Sequence, residues 1–293
     1  MKYKAVKTQA PAQEIDLWCE ALKVSRSAYY NWLCTPLRKR ALQDEVIKNG
    51  ILRIDEVAKG RYGYRSMHAH LHSNEVLCGR DRVLRLMREL DMTQQPSKSF
   101  KPIGTDSKHS FGYHPNLLKG LVITGCNQAW VSDTTYLPTE KGFSYQATVM
   151  DLYNREIIGW SVGSRNDAAL VCAALRNALS KKGGFHDRII HHSDRGSTYA
   201  SAAYQKVLSC YDIKPSMSAK GNCYDNAAME SFFGRFKVST LKNRILKDET
   251  EVRDVVFEYI EIFYNRFRKH SALNYQSPIE FAQSNQQQLR MAA

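Results

Sequence analysis

Trp130-Val131-Ser132-Asp133-Thr134-Thr135-Tyr136, then His191-His192-Ser193-Asp194-Arg195-Gly196-Ser197, then Asp225-Asn226-Ala227-Ala228-Met229-Glu230-Ser231-Phe232-Phe233 are the stretches that decide the fold. In the first two, an acid ends a short apolar, β-prone run; in the third, an acid rides residues of helical spacing. Between Asp133 and Asp194 lie 60 residues, and between Asp194 and Glu230 lie 35. A carboxylate at the end of a buried strand is costly unless something compensates its charge. Three acids delivered by separate elements are a layout for holding divalent cations against a phosphodiester.

Outward from these stretches the pattern is α/β. Strands are expected over 129–136, 143–151, 155–162, 188–193 and 213–217, and helices over 168–180, 202–208, 226–242, 251–265 and 278–284. Three strands in a meander followed by alternation with helices predict a mixed five-stranded sheet covered on both faces. Ahead of it, 14–33 reads as two short helices around a turn at Val24-Ser25, with Ser25 as the cap of the second and Tyr29 and Trp32 in a small core. A second helical unit over 42–92 ends in the basic helix around Arg82, Arg85 and Arg88, with Val83, Leu84 and Met87 on its buried face. The three arginines are candidate DNA-backbone contacts. His68, His70 and His72 lack paired ligands at metal-site spacing, so a surface or capping role is expected. The divisions are 1–41, 42–93, a polar linker 94–117, a catalytic domain 118–285 and a tail 286–293.

Composition narrows the function classes. At 293 residues and 43% hydrophobic, the chain can build one sizeable core and small modules beside it. No apolar run approaches the ~20 residues of a membrane span, and the start Met1-Lys2-Tyr3-Lys4-Ala5 is no signal peptide. A soluble, intracellular protein is expected. Seven cysteines without a C-x-x-C pair argue against a disulfide framework or a zinc finger. The net charge of +13 favours a polyanionic partner, and residues 1–110 hold 20 Lys and Arg against 12 Asp and Glu.

Near the acids, Asp225 and Asp151 read as a helix cap and a turn-ordering residue. His192, Ser193 and Arg195 read equally as orienting Asp194 or packing a tight turn. The loop 218–224 with Lys220 and Asn222, and a helix face shared by Asn226, Glu230, Phe233 and Lys237, are candidate DNA contacts. Phe232, Phe236 and Leu241 should face inward.

Taken with Val24-Ser25-Arg26-Ser27-Ala28-Tyr29-Tyr30, Tyr62-Gly63-Tyr64-Arg65, Arg85-Leu86-Met87-Arg88-Glu89, Tyr264-Asn265-Arg266-Phe267-Arg268-Lys269-His270-Ser271-Ala272-Leu273 and Ser277-Pro278, the three acid stretches make the chain resemble the larger reading-frame product of the IS-three family of insertion sequences. The resemblance implies a DDE transposase with a ribonuclease-H-like core, preceded by helix-turn-helix modules. Asp133, Asp194 and Glu230 would be its catalytic metal ligands, for two Mg²⁺ or Mn²⁺ ions and no nucleotide cofactor. It implies 3′-end cleavage and strand transfer on double-stranded DNA. It further implies a homo-oligomer on that DNA and a frameshift fusion with, or help from, the upstream frame's product. Ser132, Thr134 and Gly79 depart mildly from the family pattern, and no retroviral His-His-Cys-Cys module is visible. A non-catalytic regulator and a plain ribonuclease-H-like nuclease are the alternatives.

Overall fold

Alternate residues of β1 (Ala129–Thr139) point to opposite faces of the sheet. Trp130 therefore joins Ala147, Val149, Ile158 and Leu175 on one side, and Val131 joins Met150, Phe232 and Phe236 on the other. The computed structural model describes residues 2–34, 39–92, 112–183, 189–218, 226–241 and 244–292. β2 (Gly142–Asp151) pairs antiparallel with β1 from Trp130↔Asp151 to Thr139↔Gly142, and β3 (Ile157–Gly163) pairs antiparallel with β2. On the other flank, β4 (Ile190–Ser193) runs parallel to β1 and β5 (Lys214–Met217) parallel to β4. The order β3-β2-β1-β4-β5 is the mixed, ribonuclease-H-like sheet expected. One expectation needs correction. β1 continues to Thr139, so Asp133 lies inside the strand, and what stops short of it is the pairing with β4, whose last partners are Val131 and His192.

α7 (Ala168–Lys181), α8 (Ser197–Ala200) and α9 (Ala202–Cys210) contribute to the core on the Trp130 side. Asp167 caps α7 by accepting from the Leu170 amide at 3.0 Å. α7 lies so close to β3 that a side chain on Gly159 would strike the Ala174 carbonyl and the Ala178 amide, the latter at 2.6 Å. The opposite face is covered by α10 (Ala227–Thr240) and α11 (Glu249–Phe257). The single helix expected over 251–265 instead widens into a π-helical stretch at Glu258–Tyr264, where the Asn265 amide donates to Ile260 O at 3.0 Å. Tyr259, Ile260, Phe263 and Tyr264 are all buried there. α12 (Pro278–Ala292) outruns the short helix expected.

At the N-terminus, α2 (Ile15–Ala21) and α3 (Arg26–Cys34) form as the sequence predicts, with Ser25 Oγ accepting from the Ala28 amide at 3.4 Å. The reading missed α1 (Lys2–Gln9), whose Val6 completes a small core with Cys19 and Tyr29. Tyr29 is buried, while Trp32 is partly exposed and stacks on Tyr3 at 5.6 Å between ring centroids.

α4 (Lys39–Ala58), α5 (Tyr64–Ser73) and α6 (Arg80–Glu89) build the second unit around Ile51, Met67, Leu71 and Val83. The buried face of α6 uses Leu86 with Val83 and Met87, in place of the expected Leu84. This unit packs directly on the C-terminal helices. The Tyr62 hydroxyl donates to Phe267 O at 2.8 Å, and the Arg61 guanidinium grips Glu258 through two bonds of 3.0 and 2.5 Å. His70 is buried in this seam, and burial lowers its pKa to about 4. His68 and His72 instead place Nε2 3.0 and 2.9 Å from Cys78 O, closing the turn after α5. Of the expected linker only 112–117 is described; there the Leu117 amide donates to Ser216 Oγ at 2.9 Å. Among the described residues no helix is long and apolar enough to cross a membrane.

Candidate active site

Paired residues on parallel neighbouring strands point the same way. Val131 is opposite His192, so two residues further along both strands the chain brings Asp133 and Asp194 to one face, the face that α10 covers. The consequence is electrostatic. Burial, followed by the negative charge of Asp194 and more weakly that of Glu230, pushes the Asp133 carboxyl up to about 8, even though the Thr134 amide donates to its Oδ1 at 2.7 Å. Asp194 Oδ1 accepts from the Gly196 amide at 2.9 Å, which holds the carboxylate at the turn after β4.

Glu230 lies exposed in the first turn of α10. Two turns on, Lys237 sits with its ammonium 4.5 Å from the Tyr136 ring centroid. Burial lowers the Lys237 pKa while Asp133 opposes that shift, so its charge is felt at the acid pair. Phe232 and Phe236 are buried as expected. Asn226 departs from the expected face: it precedes α10 as its N-cap, at φ −110° and ψ 13°, is 6% exposed, and its buried Oδ1 has no hydrogen-bond partner. Lys220, Asn222 and the cap candidate Asp225 lie outside the described residues. Among the described residues no three His, Cys, Asp or Glu side chains are gathered closely enough to hold a metal ion.

The residues flanking Asp194 tie β4 to its neighbours. His192 Nδ1 is 2.8 Å from Ser216 Oγ and its Nε2 is 3.0 Å from Ser218 Oγ. Ser193 Oγ donates to the Asp194 backbone carbonyl at 3.0 Å, and Arg195 Nε donates to Ser218 O at 2.8 Å. A buried network escaped the sequence reading: His191 Nε2 lies 2.7 Å from Ser132 Oγ and 3.0 Å from the Tyr204 hydroxyl. It ties Ser132, the residue before Asp133, to His191, three residues before Asp194, and the alternation of polar Ser132 with Asp133 was its only signal. Asp151 orders its turn as expected, accepting from the amides of Asn127 at 2.7 Å and Tyr153 at 2.9 Å. On α6, Arg82 Nε donates to Asp44 at 2.7 Å, and Arg85 bonds both Asp44 at 2.8 Å and Glu89 at 2.5 Å. Arg88 is exposed.

Residues 124–223 and 211–278 match two integrase core domain families, and residues 41–100 match an HTH-like domain. The 31 kDa protein of insertion element IS600 from Shigella sonnei is 39% identical over 270 residues, covering 92% of this chain and 98% of its own. Transposase InsF for insertion sequence IS3A, from Escherichia coli strain K12, is 35% identical over 292 residues, covering 97% and 99%. The HTLV-2 integrase catalytic core domain in complex with magnesium aligns with 54% of this chain and 97% of its own, at 15% identity and a TM-score of 0.42. With its relatives matched almost end to end, the chain belongs to the IS3 family of insertion-sequence transposases, DDE-type polynucleotidyl transferases.

Proposed function

We propose that Asp133, Asp194 and Glu230 hold two Mg²⁺ or Mn²⁺ ions, and that with them this transposase cuts the 3′ ends of its element and joins them to target DNA. The observation that carries the reading is that Asp133 and Asp194 share the α10 face, where burial first and the charge of Asp194 second raise the Asp133 carboxyl to about 8. A half-buried acid pair in that condition calls for a cation, and an all-oxygen donor set suits Mg²⁺ or Mn²⁺ over zinc. When bound, the ions would polarise the scissile phosphate and favour deprotonation of the attacking water or 3′-hydroxyl. Glu230, exposed on α10, would complete the set. Lys237, across the same face, binds a phosphate next to the reacting one and holds the strand in register. Exchange of one phosphodiester for another requires no nucleotide.

Double-stranded DNA is the partner, as element ends and as target, bound by a homo-oligomer in the cytoplasm with or without the upstream frame's product. Lys220 and Asn222, which precede α10 in sequence, contribute as well. Arg88 is the α6 arginine presented to a DNA backbone, while Arg82 and Arg85 hold Asp44. The test is a joining assay with labelled element ends, without nucleotide. Cleavage and joining are expected with Mg²⁺ or Mn²⁺ and should vanish with a chelator. Cutting that never leads to joining would favour a nuclease, and binding without either a regulator.

A further inference from the structure

Three arginines lie near enough to Tyr264, which packs under α10, for the charge of each to act on it. Arg155 sits in the β2–β3 turn with a left-handed φ of 60°, Arg235 on α10, and Arg268 just after the π-helical stretch. Tyr264 packs on Phe232 of α10 at 4.9 Å and on the His270 ring at 5.0 Å, and its neighbour Asn265 bonds the amide and carbonyl of Ile157, two residues past Arg155, at 2.9 Å each, which brings the three segments together. Among the described residues no acid pairs with any of these guanidiniums, whereas Arg61 nearby grips Glu258 and Lys269 grips Glu280. Arg268 is only 7% exposed and its Nε has no hydrogen-bond partner; His270 Nε2 and the Tyr259 hydroxyl are likewise buried without one. Burial and the charges of Arg268, Arg235 and Arg155 push His270 down to about 3, and burial together with Arg268 lowers Arg235. Like charges held together with unused donors make a site for an anion. Planar guanidiniums suit phosphate oxygens in particular.

We propose that Arg155, Arg235 and Arg268, edged by His270, form a phosphate-binding site, and that its occupant is a backbone phosphate of duplex DNA distant from the reacting one. Arg235 is exposed and so opens the site to solvent. It follows Glu230 by five residues, about 140° round the helix, so it addresses a different phosphate from the one facing Glu230 and Lys237. The DNA assignment rests on the proposed transposase reading; the anion site does not.

Two measurements on the full-length chain separate the sources of phosphate. The first is duplex affinity against salt for wild type, Arg235→Gln and Arg155→Gln. Each variant should lose about one unit of the log–log slope, as expected for about one released counterion per phosphate contact. The second is thermal melting with inorganic phosphate against chloride at equal ionic strength. Phosphate should raise the wild-type melting temperature, and the variants should lose that rise. Both variants change half-buried or exposed positions, and an unchanged circular dichroism spectrum confirms that they fold. A melting shift with an unchanged salt slope would overturn the DNA assignment in favour of a free anion. No change in either would overturn the site. Binding is read without joining, so a failure of the acid assignment leaves this result standing, while a wild-type chain that binds no duplex would sink the DNA reading itself.

Discussion

Phe236 and Lys237 are adjacent in sequence and opposite in consequence. Phe236 is fully buried against Phe232 and Tyr259, whereas Lys237 lies over the Tyr136 ring within reach of Asp133's field. Phe236→Ala should lower stability by roughly 3–5 kcal/mol through the lost burial and the cavity left behind. Lys237→Ala should leave melting near wild type and weaken joining. Melting curves and joining rates for both variants check this, and a Lys237→Ala protein that joins normally would contradict the face assigned to α10. At this scale the inward turn of Phe232 and Phe236 was legible because helical spacing reports direction, though the same spacing put Phe233, which is buried, on the Glu230 face. The commitment of Arg82 and Arg85 to Asp44 was not, because those pairs span 38 and 41 residues and nothing local marks them. Asn226 was misjudged because it is the N-cap, with dihedrals outside the helical range, so the helical spacing does not extend to it.

The five strands and most helices were legible from periodicity, and the misses have local causes. α1 buries only Val6, too little apolar pattern to announce a helix, and the π-helical widening obeys neither the 3.6-residue nor the 2-residue period. That widening ends at Asn265, whose side chain pairs with a strand. Its Oδ1 accepts from the Ile157 amide and its Nδ2 donates to the Ile157 carbonyl, both at 2.9 Å. Asn177 caps Trp160 O at 2.9 Å and Arg253 caps Val162 O at 3.3 Å, so side chains cover the outer edge of β3. A covered edge cannot template pairing with another chain. Asn265→Ala takes the Asn265 bond from the buried Ile157 amide and leaves the Ile157 carbonyl with Lys181 Nζ at 3.3 Å, and should cost roughly 1–3 kcal/mol. Chemical denaturation would measure it; a loss below about 1 kcal/mol, the net worth of a single ordinary hydrogen bond, would show that Asn265 is not the clasp described.

For the whole molecule, charge and composition gave the partner class, but the sequence showed the helical unit over 42–92 as a separate bead on a linker. In the structure Tyr62, His70 and Arg61 join it to Phe267 and Glu258 across nearly 200 residues of chain, so the HTH-like unit and the catalytic sheet share one apolar core. DNA held by the first is thereby presented at a fixed place relative to the second. The central claim remains that three acids on the α10 face carry the chemistry. Its most direct measurement is the rate of joining, with duplex affinity recorded on the same samples, for Asp133→Asn, Asp194→Asn and Glu230→Gln in Mg²⁺. Several kcal/mol of lost charge stabilisation corresponds to about 1,000-fold in rate. Each variant should fall by at least that much while binding duplex DNA as wild type does; wild-type joining by any one of the three would contradict the assignment.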